Sequence, residues 1–254
     1  MANWSWEHLT WPELAGLRDG ILVFASGSIE QHGPRLPVAT DTLTAQGFVR
    51  LLQARMPQRR LIAAPPMNYT YAKLNSAYPG TINLNGATLL AMAHDILADV
   101  LRQGFRNVMF INGHMESVAF IMEGAELALA EHRSMGPPRG SEPKIVFANW
   151  WEFVPQKLID EVFGAKWPGW EAEHAALTET SLMLHLWPEL VRDVPVGPSD
   201  YDKFHYRVLP WPERGRPASG CYADPAGASA EIGRRLAEVV VAGLQHVVET
   251  EFPQ

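Results

Sequence analysis

The sequence is short of cysteine, of net positive charge and of long apolar runs, and each shortage removes a class of function. One cysteine, Cys221, in 254 residues excludes an internal disulfide framework and any metal site built from several thiolates. Twenty-eight acidic against 21 basic residues leave a formal net charge of −7. Such a balance offers no long-range attraction to a polyanion, and the basic doublet Arg59-Arg60 is too short to line a groove, so no nucleic-acid partner is expected. The first residues lack the basic and apolar regions of a secretory signal, and no apolar run nears the ~20 residues of a membrane span. The expectation is a cytoplasmic protein with no membrane partner. Internal repeats and low-complexity tracts are missing too.

Hydrophobic residues are plentiful, at 47% of the chain. That is enough to bury a full core, and no linker interrupts the pattern, so residues 1–254 read as one domain. Short apolar runs at 21–25, 61–64, 108–111 and 145–148 read as buried strands. Longer stretches with helical periodicity lie at 42–54, 89–101, 120–129, 177–186 and 230–248. Thr10, Pro12 and Glu13 form a helix-start signature, with the helix expected to stop near Gly20. Polar or proline-rich intervals at 68–85, 134–143 and 194–220 read as connections, and 162–169 as irregular chain. Strands alternating with helices predict a layered α/β fold with a mostly parallel central sheet.

Chemistry-bearing side chains gather after two of the predicted strands. Glu30 and His32 follow the first, and side chains two apart in extended chain share a side. His114 and Glu116 repeat that spacing after another strand, and Asp41 stands just before a predicted helix. Read singly, each admits a structural role: Glu30 or Asp41 as a helix cap, His32 as a loop histidine. Two acid–imidazole pairs after two strands are harder to assign to capping. Carboxylates with imidazoles and no thiolate suit Zn²⁺, Mn²⁺ or Fe²⁺, and the two oxygens of Asp41 suit it to bridge a pair of ions. Three carboxylates offset three of the four charges on two divalent ions. Two ions roughly 3.5–4 Å apart lower the pKa of a water and polarise a substrate carbonyl together.

Glu30-Gln-His32-Gly, Asp41, Asn112-Gly-His114-Met-Glu116-Ser, Glu173-His174 and Glu179-Thr-Ser181 resemble the motifs of the creatininase superfamily, and the similarity runs from the first strand nearly to the last residues. The resemblance implies a layered α/β/α subunit, two divalent ions per subunit and a homo-oligomer, usually a homohexamer. It also implies an amidohydrolase acting on a small, cyclic amide, with creatinine to creatine as the leading reaction. Carried over residue by residue, Glu30, Asp41 and His114 hold one ion and His32, Asp41 and Glu116 the other, with Glu179 as the reserve ligand. His174 matches the proton-transfer histidine, and Glu173 is placed either to orient a neighbouring group or to serve as a first-turn acid of the helix that follows. Trp151 and Trp170 match the indole walls of the substrate pocket, with Trp150 where tyrosine is usual.

Two departures concern the substrate. Met115 replaces the usual tyrosine in the metal loop, and residues 68–78 are shorter than their counterpart and lack its glycine-rich segment. A missing polar donor can redirect specificity. Two alternatives therefore stand beside creatinine hydrolysis: an amidohydrolase or deformylase for another cyclic amide or formamide, and a non-catalytic oligomeric scaffold.

Overall fold

The structure is a computed structural model that describes residues 4–135, 142–197, 199–201, 206, 208–210 and 212–253. Strands β1 (Ile21–Ser26), β2 (Leu61–Ala63), β3 (Asn107–Asn112) and β4 (Lys144–Asn149) form one sheet in the order β2-β1-β3-β4. Every pairing is parallel. Among the described residues the α-helices are α1 (Trp11–Ala15), α2 (Thr40–Arg55), α3 (Gly86–Arg102), α4 (Val118–Ser134), α5 (Gln156–Phe163), α6 (Leu177–Leu186) and α7 (Ala230–Glu251). None is long and apolar enough to cross a membrane.

The period-two alternation of the strands divides the core in two. Ile21, Val23 and Ala25 of β1, with Met109 and Ile111 of β3, pack on the layer of α2, α5 and α7. Leu22 and Phe24, with Val108 and Phe110, pack on α3 and α4. The in-register partners Phe24, Phe110 and Phe147 stack across three strands at centroid distances of 5.0 and 4.8 Å. This is the α/β/α layering expected, with both faces of a parallel sheet covered. The C-terminal ends of β1 and β3 lie side by side, Ser26 opposite Asn112, and open parallel sheets place ligands beyond such ends.

Several boundaries differ from expectation. Helix α2 begins at Thr40, so Asp41 lies in its first turn and not before it. Helix α1 stops at Ala15, although Thr10 N–H donates to Glu13 Oε2 at 2.7 Å as the start signature predicts. Residues 156–163 form α5, whose Leu158 and Ile159 are buried, where the sequence pattern assigns no element over 156–161 and irregular chain from 162. Of the interval 134–143, residues 136–141 lie outside the described residues, as do 198, 202–205, 207 and 211 of the interval 194–220.

Candidate metal centre

The centre forms where the chain leaving β1 and β3 meets the first turn of α2. Close backbone approach makes this possible. A Cβ on Gly27 would lie 2.3 Å from Thr42 N, and one on Gly113 would lie 2.4 Å from Asp41 O. Glycines at both strand ends let the start of α2 settle onto the sheet edge, which buries Asp41 between the two loops.

Asp41 divides its oxygens between two imidazoles. Its Oδ1 lies 2.9 Å from His32 Nε2, and its Oδ2 lies 3.0 Å from His114 Nδ1 and accepts from Ser28 Oγ at 2.7 Å. Glu30 Oε1 stands 3.2 Å from His114 Nδ1, and Glu179 Oε2 stands 3.7 Å from His32 Nε2. Each ring's far nitrogen faces a backbone carbonyl: His32 Nδ1 is 3.0 Å from Glu30 O and His114 Nε2 is 2.8 Å from Tyr71 O. Donation to these carbonyls frees His32 Nε2 and His114 Nδ1 as ligands, the outer-shell arrangement of metal-binding histidines.

Two three-residue clusters with metal-ligand spacing thus share Asp41: Glu30, Asp41 and His114, and His32, Asp41 and Glu179. A third grouping adds His174 to Glu30 and His32. Glu116, expected beside His32 and Asp41, is in none of these three groupings among the described residues. It sits in a 3₁₀ turn, Met115–Ser117, its Oε2 accepts from Leu74 N–H at 3.2 Å, and it lines the cavity in front of the centre. The reserve carboxylate, Glu179, in the first turn of α6, is the one that groups with His32 and Asp41.

The electrostatics show that the cluster calls for positive charge. Burial pushes the carboxyl of Glu30 up, but the charge and hydrogen bond of His114 outweigh it and hold the group below its ordinary range. Asp41 is likewise held well down, because His32 and His114 outweigh its burial. The carboxylates in turn overcome ring burial, raising His32 to about 10 and His114 well above the ordinary imidazole range. Burial pushes Glu179 up to about 8 even beside His32. Three buried carboxylates and two imidazoles fit a pair of divalent ions, whose four charges they would largely offset.

His174 leans over this cluster, its ring 4.4 Å from that of His32. Burial, and then the neighbouring His32, lower it to about 4, so the ring is neutral at ordinary pH. Glu173, buried and raised by that burial to about 7, accepts from Thr178 N–H through Oε1, while its Oε2 has no partner. It therefore ties down the start of α6. Ala175, in left-handed conformation with φ 53°, donates its N–H to Glu179 Oε2 at 2.6 Å. Strain of that kind, held by packing, is common at functional sites.

A cavity of 460 Å³ opens in front of the centre. Trp150, Trp151 and Trp170 line it, Trp150 being buried against the core and edge-on to the other two at 6.0 and 5.4 Å. Met115, 42% exposed, stands at the rim.

Comparison with known proteins agrees with this arrangement. The creatininase family profile, described as creatinine amidohydrolase, matches residues 7–248. The chain belongs to the creatininase family. This creatininase-family chain is 33% identical to the creatinine amidohydrolase of Pseudomonas putida, over 96% of both chains. It is 29% identical to the mycofactocin precursor peptide peptidase of Mycobacterium tuberculosis, over 92% of this chain and 86% of that one. A crystal structure of creatinine amidohydrolase superposes with a TM-score of 0.91 at 31% identity, covering both chains fully. Creatininases solved in a Zn–Zn form and with Mn give 0.90 and 0.89. Family membership and the paired clusters make the protein a metal-dependent amidohydrolase.

Some residues of the site carry no motif signal. Gln31 sits inside the Glu30-Gln-His32 motif yet reads as a spacer, and Asn75 and Tyr222 lie in intervals of irregular chain. All three are buried beside His174. For Gln31 the only available signal was its place between two ligands.

Proposed function

We propose that this chain hydrolyses a non-peptide C–N bond of a small, cyclic amide, with creatinine as the leading substrate, using two divalent ions drawn from Zn²⁺ and Mn²⁺. The observation that carries this reading is the pair of clusters sharing buried Asp41 at the floor of a tryptophan-walled cavity. Glu30, Asp41 and His114 would hold one ion, and His32, Asp41 and Glu179 the other. When bound, the ions supply an activated water and polarise the carbonyl it attacks. Trp151 and Trp170 offer flat faces against which a planar ring, neutral or cationic, can stack. His174, above the centre, hands a proton to the departing nitrogen. The homohexamer is proposed on family resemblance, and light scattering on the purified chain tests it.

A second reading rests on cavity size and on Met115. At 460 Å³ the cavity falls in the range of roughly 300–1,000 Å³ that encloses drug-sized ligands, and Met115 brings no hydroxyl to it. Another cyclic amide, a formamide or a peptide-like amide also fits.

The test is to strip the protein with chelator, reconstitute it with Zn²⁺ and Mn²⁺, and follow creatinine by NMR. Metal-dependent appearance of creatine that is lost in His174→Ala supports the first reading. No turnover from protein shown to hold both ions rejects it, and a panel of formamides and larger amides then tests the second.

A further inference from the structure

The hydrogen bonds around His174 determine which of its nitrogens carries the proton. Gln31 and Asn75 each have an amide whose orientation is forced. Gln31 Oε1 accepts from Gly33 N–H at 2.9 Å, and Gln31 Nε2 donates to Gly220 O at 2.9 Å and to Asn75 Oδ1 at 2.8 Å. A backbone N–H can only donate and a carbonyl can only accept, so this amide cannot be flipped. Asn75 follows from it: Oδ1 accepts from Gln31 and from Tyr222 Oη at 3.2 Å, and Nδ2 donates to Glu30 Oε2 at 3.1 Å. Gly220 is needed for this seat. Its φ is +76°, and a Cβ there would lie 2.0 Å from Gln31 Oε1.

His174 Nε2 faces three groups of this cradle: Gln31 O at 2.9 Å, Gln31 Nε2 at 3.1 Å and Asn75 Nδ2 at 3.3 Å. Both hydrogens of Gln31 Nε2 are already committed to better acceptors. The shortest contact is to a carbonyl, which needs a donor. The other tautomer would set a lone pair against that carbonyl and place its N–H on Nδ1, whose nearest carboxylate oxygen, Glu30 Oε1, is 3.7 Å away, too far for a hydrogen bond. We propose that Gln31, through its backbone carbonyl, and Asn75, which seats Gln31 through Oδ1, are positioning residues that hold His174 with its proton on Nε2 and its Nδ1 lone pair turned to the metal centre.

The catalytic consequence rests on the amidohydrolase reading above; the tautomer does not. A ring held this way enters the reaction as a proton acceptor. As water adds its oxygen to the carbonyl carbon, its proton passes to Nδ1. When the C–N bond breaks, the nitrogen takes the bonding pair and that same proton, and the ring returns to neutral. One nitrogen thus collects and delivers the proton while the other stays bonded to Gln31 O.

Neutron diffraction from deuterium-exchanged, Zn²⁺-loaded crystals of the unmodified chain tests the lock directly. Deuterium on Nε2 pointing at Gln31 O, with none on Nδ1, is expected. Deuterium on Nδ1 alone, or a bond from Nδ1 to an ion, overturns the proposal. With an active substrate and metal content matched to that of the unmodified chain, Asn75→Leu should lower kcat roughly 10–100-fold with KM unchanged, and an unaltered kcat would also overturn it. If the unmodified chain turns over no amide, the functional reading fails, while the diffraction result still decides the tautomer.

Discussion

His32 shows how much of this site is decided by one side chain's surroundings. Asp41 and Glu179 overcome the effect of burial and raise its ring from 6.5 to about 10, so at pH 7.5 the metal-free ring holds a proton. A ligand must be deprotonated, so binding an ion expels that proton, and affinity must rise with pH up to about 10. Calorimetry of Zn²⁺ binding in two buffers of different ionisation enthalpy should show at least one proton released per ion pair; no release would contradict the arrangement. Glu179 and Glu116 make the second case at this scale. Glu179→Gln should lower the bound metal from two ions to one per chain by elemental analysis. Retention of both ions in that variant would remove Glu179 from the ligand set.

Among the elements, the junction of α2 with the ends of β1 and β3 matters most. Gly113 lets β3 end against the backbone of Asp41, where a methyl group would meet Asp41 O at 2.4 Å. Gly113→Ala should therefore displace the first turn of α2. A cost of about 1–3 kcal/mol is expected from overpacking, together with weaker metal binding, read by denaturant titration and metal analysis. A stable variant with unchanged metal content would show that the junction is looser than the contacts imply. The elements legible in the sequence were those with strong periodicity. The four strands and helices α2, α3, α4, α6 and α7 were all visible as apolar patterns, and their alternation implied the parallel sheet. Helix α5 was not, because eight residues with two buried positions give too short a pattern to tell from a connection. The start of α2 was placed two residues late, since its first turn is buried polar residues, Thr40, Asp41 and Thr42, chosen for the site and not for periodicity.

For the molecule as a whole, the ions are expected to be structural as well as chemical. Without them the centre keeps buried carboxylates neutralised only by protonated rings. By mass action, ions at a thousandfold above their dissociation constant add ~4 kcal/mol per site. At ~2–4 °C per kcal/mol for a chain this long, chelation should lower the Tm by on the order of 10 °C or more, measured by calorimetry with and without chelator. An unchanged Tm would mean that the cluster does not bind ions in the folded state.

The sequence by itself determined the α/β class, the strands whose ends carry the chemistry, and the identity of Glu30, His32, Asp41, His114 and His174 as the residues to watch. All but His174 follow from local pattern and residue type; His174 is implied by the resemblance to the creatininase motifs. It also showed Glu179 only as a reserve, and Gln31, Asn75 and Tyr222 not at all. The approach of Glu179 to His32 depends on α6 bringing it across 147 residues of chain (179 − 32). Which nitrogen of His174 holds a proton depends on amides arriving from three separate segments. Both are long-range facts. Spacing along the chain carries no information about them, because they arise only when distant backbone groups are packed within hydrogen-bonding distance.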